Sequence, residues 1–293
     1  MTVWNLGSIN ADFAYRVPRL PAPGETLAAE GLTRGLGGKG ANLSVAAARA
    51  AARVVHVGAV GPDGRWAVDR LMEYGVDVRH VSEVGEVTGH AVIAVAPGGE
   101  NSILVWPGAN AAIPQATRDA PLAEARVGDR AVAQNETNGQ AAWLATAKRM
   151  GLATAYVAAP FDGQAVGAVL DVLDLLILNA VEAEQLEAAL GRRIDALGVP
   201  DVLVTRGAEG CRWHGADGAQ DIPAPRVEAV DATGAGDTFA GYVLAGLDRG
   251  LPMAQAIGQA QVAAALMVAR PGTADAIPDL KEVQEARLGS WPP

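Results

Sequence analysis

Asp231-Ala232-Thr233-Gly234-Ala235-Gly236-Asp237-Thr238-Phe239-Ala240-Gly241 sets two carboxylates around residues that have almost no side chain, at a point where a helix is about to begin. The backbone N–H groups of Gly234, Ala235 and Gly236 are open to an anion, because the first amides of a helix have no partner within it and lie at its positive end. A phosphate suits that place. Asp237 beside it would repel the anion, a cost that makes sense where the carboxylate takes the proton of a hydroxyl that attacks phosphorus. Alone, the same spacing equally describes an Asp that caps an Ala/Gly-rich helix, and other segments must decide between the two.

Gly35-Leu36-Gly37-Gly38-Lys39-Gly40 fits the dinucleotide pattern G-x-G-x-x-G, but Gly31-Leu32-Thr33-Arg34 before it does not read as a buried strand. The next strand, 53–60, carries no carboxylate, and Gly40 stands where a Walker A loop needs a magnesium-binding Ser or Thr. What remains is a flexible turn presenting Gly38 and Lys39, with Asn42 on the first turn of the following helix. These groups suit a polyhydroxylated ligand; the alternative is a solvated lysine on a glycine turn. Asn10 and Asp12 alternate along the end of the first strand and so share a face. An amide and a carboxylate side by side suit paired hydroxyls, and turn formation is the competing use. Asn179-Ala180-Val181-Glu182 is either a capping box or a set that places Glu182, through water, on a magnesium ion attached to nucleotide phosphates. His56, His80, His90 and His214 have no metal-ligand spacing.

Such groups need a frame that brings them together. Short apolar runs at 53–60, 131–133, 153–157, 175–178 and 202–205 alternate with Ala-rich helical segments, the pattern of a parallel sheet with crossover helices. Ligands bind beyond the carboxyl ends of such strands, which gathers Gln134-Asn135-Glu136, Asn179 and Thr205-Arg206-Gly207 at one crevice. Segments 12–32 and 88–106 show alternating patterns broken by prolines and glycines and lack helical periodicity. They are expected to pair as a small sheet that covers the crevice as a lid, rather than to form two surface hairpins.

Composition narrows the classes. A chain of 293 residues suits one domain, 1–293, with that lid as an excursion. The net charge of −10 disfavours nucleic acid and anionic membrane as partners. Cys211 is the single cysteine, which excludes an intrachain disulfide and suits a reducing cytoplasm. The chain opens on a strand-like Val3-Trp4-Asn5-Leu6 with no leader pattern, and no apolar run approaches membrane-spanning length. A cytoplasmic, soluble protein is expected.

Gly37-Gly38-Lys39-Gly40-Ala41-Asn42, then Asn179-x-x-Glu182, Thr205-Arg206-Gly207-Ala208-Glu209-Gly210 and Asp231 to Gly241 follow one another in an order that resembles the ribokinase-like carbohydrate kinase (PfkB) family over nearly the whole chain. The resemblance implies a three-layer α/β/α fold with a mainly parallel central sheet, a small β-sheet lid, and a homodimer formed through that lid. It implies an ATP-dependent sugar kinase in which Asp237 is the catalytic base and the backbone of Gly234, Ala235 and Gly236 is the anion hole. Asn10, Asp12, Gly38, Lys39, Asn42 and Glu136 match positions that hold the sugar. Asn179 and Glu182 match the motif associated with phosphate and Mg2+, and Thr205 and Gly207 line the nucleotide site with Gly236. Asp231, Thr233, Arg270, Gly272 and Ala276 fall in loops that in this family surround a monovalent cation such as K+.

Gly7-Ser8-Ile9-Asn10-Ala11-Asp12, Pro23-Gly24-Glu25-Thr26 and Pro107-Gly108-Ala109-Asn110-Ala111-Ala112 look most like ribose-phosphorylating members, so D-ribose is the first acceptor expected and its 5-hydroxyl the site of transfer. A nucleoside or another sugar is the alternative acceptor. Val157-Ala158-Ala159-Pro160 departs from the family's usual Asn-Pro-Ala-Pro, Trp66 stands where Gly is common, and Ala276 replaces a Ser-like group. Those departures keep a catalytically silent sugar-binding protein as the reading from another class.

Overall fold

The structure is a computed structural model that describes residues 1–98 and 100–286. Its strands in chain order are β1 (Thr2–Leu6), β2 (Asn10–Arg16), β3 (Gly31–Gly37), β4 (Arg53–Val60), β5 (Asp77–Glu83), β6 (Gly89–Val95) and β7 (Asn101–Trp106). Then follow β8 (Arg130–Gln134), β9 (Ala153–Val157), β10 (Leu175–Asn179), β11 (Asp201–Thr205), β12 (Cys211–Gly215) and β13 (Gly218–Ile222). Nine of them form one sheet in the order β13-β12-β11-β10-β9-β8-β1-β4-β5. Every pair from β11 to β5 is parallel, whereas β12 and β13 add an antiparallel hairpin at one edge.

The central strands are short apolar runs because both faces of the sheet are covered. Alternate residues feed two separate cores. Val3, Val54, Val132, Ile177 and Leu203 join one with Leu43, Phe239, Val243 and Ile257. Trp4, Val55, Ala131, Leu176 and Val202 join the other with Trp143, Leu144 and Leu186. Helices therefore pack on each side, giving the three-layer α/β/α arrangement.

The remaining four strands form a second sheet, ordered β3-β2-β6-β7. Here one expectation is corrected. Gly35 to Gly37, taken as part of a flexible turn, lie in β3, which pairs antiparallel with β2 from Asn10↔Gly37 to Arg16↔Gly31. Segment 12–32 thus closes its sheet with a strand that begins at Gly31 and runs beyond it. The glycine at 37 serves close approach: a Cβ there would lie 2.0 Å from an oxygen of Asp12. The turn is confined to Gly38, whose φ of 92° places it in the left-handed region.

Candidate active site

Two glycine-rich helix starts meet beyond the carboxyl ends of β1 and β8, and they differ in how their amides are used. At the helix Lys39–Arg49, Lys39 N–H donates to Glu136 Oε2 at 3.0 Å, Gly40 N–H to Ser8 Oγ at 3.1 Å, and Ala41 N–H to the Ser8 carbonyl at 2.8 Å. That helix start is closed to an anion. At the helix Ala235–Asp248, Gly234 is the N-cap residue in the left-handed conformation with no side-chain cap, and Ala235 N–H turns back to the Ala232 carbonyl at 3.2 Å. Gly234 and Gly236 line a cleft of about 220 Å³, while Ala235, expected to share the anion hole, has its amide engaged in that turn.

The two helices approach through glycine. A Cβ on Gly241 would sit 2.6 Å from the Ala46 Cβ and 2.7 Å from the Leu43 carbonyl oxygen. Asn42 and Ala46, like Asp237 and Gly241, are one helical turn apart on one face. The close contact at 46 and 241 therefore brings Asn42 to Asp237 one turn higher, where Asn42 Nδ2 donates to Asp237 Oδ2 at 3.0 Å. Asn42 Oδ1 is buried and has no hydrogen-bond partner among the described residues.

Asp237 is 6 % exposed. Burial raises its pKa to about 6, held down by the Lys39 ammonium and by the Asn42 hydrogen bond. Asp12 is pushed up to about 7 by burial first and then by the carboxylates of Glu136 and Asp237, with Lys39 opposing. Lys39 is raised mainly by Asp237, against its own burial, and also by Glu136, Glu182 and Asp12. One ammonium thus stands among four carboxylates. Such a set suits hydroxyl recognition and proton acceptance.

The structure refines several expected ligands. Glu136 uses Oε2 to accept from both Ser8 Oγ and the Lys39 amide, so part of its carboxylate is a helix cap. Asn10 accepts at Oδ1 from Asn110 Nδ2 at 2.7 Å, and Asn110 Oδ1 accepts from the Ile9 amide at 2.9 Å. Ser8 and Asn110 were not among the expected site residues. Each stood within a quoted motif, but their hydrogen-bond partners lie 128 and 101 positions away.

On the other side of the cleft, Asn179 and Glu182 form the capping box: Glu182 N–H donates to Asn179 Oδ1 at 2.9 Å, and Asn179 N–H to Glu182 Oε2 at 2.8 Å. Both also line the cleft with Lys39, Thr205, Gly234, Gly236 and Asp237. Burial raises the Glu182 pKa against the Asn179 amide and Lys39. Gly207 opens a short turn after β11 and is not in the cleft wall. Apolar Val157 and Ala159 are.

Further out, Asp231 accepts from the Thr233 amide at 2.9 Å and the Gly272 amide at 3.3 Å, which joins the two loops. Arg270 turns away to an ion pair with Glu282 at 2.7 Å, and Ala276 is buried without a side-chain oxygen. No cluster of three or more His, Cys, Asp or Glu side chains able to hold a metal occurs among the described residues. No described helix is long and apolar enough to cross a membrane.

Comparison with known proteins gives this arrangement a family. Ribokinase of Haemophilus influenzae is 33% identical over 300 residues, covering 97% of this chain and 97% of that protein. The crystal structure of ribokinase from Cryptococcus neoformans var. grubii in complex with ADP superposes with a TM-score of 0.84 at 32% identity, over 97% of this chain and 98% of that one. Arabidopsis thaliana ribokinase complexed with ribose and ATP gives a TM-score of 0.86 at 29% identity, over 97% of both chains. Residues 2–280 match the family described as pfkB family carbohydrate kinase. With that match, and with an open helix start beside a buried carboxylate, the chain belongs to the PfkB family of carbohydrate kinases.

Proposed function

We propose that this kinase transfers the γ-phosphate of ATP to the 5-hydroxyl of D-ribose. The observation that carries the reading is Asp237, a buried carboxylate held by Asn42 at a helix start whose Gly234 and Gly236 face the cleft. The acceptor hydroxyl donates to Asp237, which takes its proton as the new oxygen–phosphorus bond forms. The bond from the γ-phosphorus to the bridging oxygen breaks, and ADP leaves with that electron pair. Gly234 and Gly236 amides, at the positive end of the helix, stabilise the transferred group. Asn10, Asp12, Lys39, Asn42 and Glu136 orient the sugar; Asn179 and Thr205 border the nucleotide, with Gly207 beyond them.

Glu182 fits a magnesium ion that keeps most of its waters. One carboxylate oxygen is committed to the Asn179 amide, which leaves the other for a water of the ion's shell. When bound there, the ion screens the charge of the phosphate oxygens. A monovalent cation such as K+ between the loops of Asp231 and Gly272 would rest on backbone carbonyls, since Thr233 and Gly272 amides already use the Asp231 carboxylate. The lone, buried Cys211 suits a cytoplasmic setting. A homodimer through β7 completes the proposal: Ile103, Leu104, Val105 and Trp106 are exposed on an edge strand, which a second copy would cover.

Asp237→Asn tests the chemistry. Turnover should fall by about 10³-fold or more, on the scale of losing a general base together with its alignment, while ribose binding measured by calorimetry persists. Unchanged kcat would sink the assignment. Coupled ADP release across ribose, deoxyribose, hexoses and nucleosides tests the acceptor; turnover of a nucleoside and none of ribose would replace ribose. Val157 and Ala159 in the cleft wall favour the silent alternative, in which ribose binds without ADP forming.

A further inference from the structure

Beneath the Lys39–Arg49 helix start lies a buried polar chain, of whose side chains only Gln134 was expected near the crevice. Gln134 Nε2 donates to Asn5 Oδ1 at 2.9 Å, Asn5 Nδ2 donates to Ser44 Oγ at 2.9 Å and to the Gly40 carbonyl at 2.8 Å, and Ser44 Oγ lies 2.9 Å from His56 Nδ1. His56 Nε2 ends the chain 3.1 Å from the Gly7 carbonyl. All four side chains are buried, on β1, β4, β8 and the helix.

The direction of every bond follows from chemistry. A carbonyl only accepts, so His56 carries its proton on Nε2 and donates to Gly7. Burial lowers the His56 pKa to about 4, which keeps the ring neutral at physiological pH and makes Nδ1 an acceptor. Ser44 must then donate to Nδ1, leaving its oxygen to accept from Asn5, whose own oxygen accepts from Gln134. The two backbone acceptors of the chain belong to glycines in contact: a Cβ on Gly7 would lie 2.6 Å from the Gly40 Cα.

Stability alone does not account for these residues, because Gln134 Oε1 is buried without a partner among the described residues and apolar side chains of similar size would carry no such cost. Location is informative instead. Gly40 lies between Lys39 and Asn42, and Gln134 is two residues before Glu136. We infer that Asn5, Ser44, His56 and Gln134 are positioning residues that lock the helix start carrying Lys39 and Asn42 against the β1 and β8 ends, and so set where Asn42 holds Asp237. The inference rests on the proposed role of Asp237 as base.

Two variants of the full chain test it with the acceptor that the panel identifies. Ser44→Ala removes one hydroxyl from the middle of the chain. Asn5→Val/Ser44→Ala/His56→Phe/Gln134→Leu replaces the set by apolar groups and leaves the Gly7 and Gly40 carbonyls without their side-chain donors. Positioning predicts that kcat falls on the order of 10-fold to 100-fold in both, that the KM for ATP changes less than twofold, and that the fourfold variant melts no lower than Ser44→Ala. Turnover within twofold of the parent in the fourfold variant would overturn the inference. If that variant does not fold, Ser44→Ala decides by the same limit. Asp237→Asn run alongside separates the two failures: turnover retained there removes the base and with it the lock, whereas turnover lost there and kept in the fourfold variant removes the lock alone.

Discussion

Asp237 works at the balance between burial, which raises its pKa to about 6, and Lys39 and Asn42, which oppose that rise. As the proposed base it must be unprotonated, so kcat/KM should climb with pH through an apparent pKa near 6. Lys39→Met removes the cation and should move that rise to higher pH, read from the pH–rate profile. Asp12 carries the opposite consequence for stability. Its folded pKa, about 7, lies above the ordinary value of 3.8, so its contribution is fully present below about pH 4 and is lost as pH rises through 7. Asp12→Asn has no such loss. Its melting temperature should match the parent near pH 4 and exceed it at pH 8, by roughly 2–4 °C for each kcal/mol removed, and scanning calorimetry at both pH values checks this.

At the scale of elements, the distance between two helices decides whether Asn42 holds Asp237. Gly241 allows the helix Ala235–Asp248 to rest on Leu43 and Ala46. Gly241→Val would drive a side chain into backbone atoms and should cost about 1–3 kcal/mol of stability, with kcat reduced more than at a site remote from Asn42. Denaturant unfolding with kinetics on the still folded fraction measures both. The contrast between the two helix starts also belongs here. Both are glycine-rich in sequence, yet Ser8 and Glu136 close one by accepting from its amides, while Gly234 offers no side-chain cap to the other. Glycine content alone does not distinguish them. The partners that do are distant in the chain.

At the scale of the molecule, β9, β10 and β11 of the large sheet present their carboxyl ends to the cleft, and the four-stranded sheet carries Asn10 and Asp12. The outer strand of that small sheet ends in apolar exposure, with Leu104 71 % and Trp106 54 % accessible. Leu104→Lys/Trp106→Lys should convert the proposed homodimer to a monomer in analytical ultracentrifugation. A parent protein that is already monomeric at micromolar concentration would remove the dimer from the proposal.

The runs at 53–60, 153–157, 175–178 and 202–205 announced their strands because a doubly covered parallel sheet demands local apolar runs, and that demand is readable residue by residue. Asp237 stood out as a candidate base for a similar reason: a carboxylate after Gly-Ala-Gly at a helix start is a local pattern. Strand β3 was misread because its glycines look like a turn until Asp12 occupies the space above Gly37. The antiparallel hairpin β12-β13 lacked the apolar run of its neighbours, its edge strand β13 being largely exposed. Sequence by itself determined the family, the parallel core and the candidate base, all carried by short-range pattern and order. Only tertiary structure decided which helix start stays open, that Asn42 holds Asp237, and that Ser8, Asn110 and the His56 chain stand behind the site. Those depend on hydrogen bonds and glycine contacts between distant segments, and a direction in space has no trace in spacing along the chain.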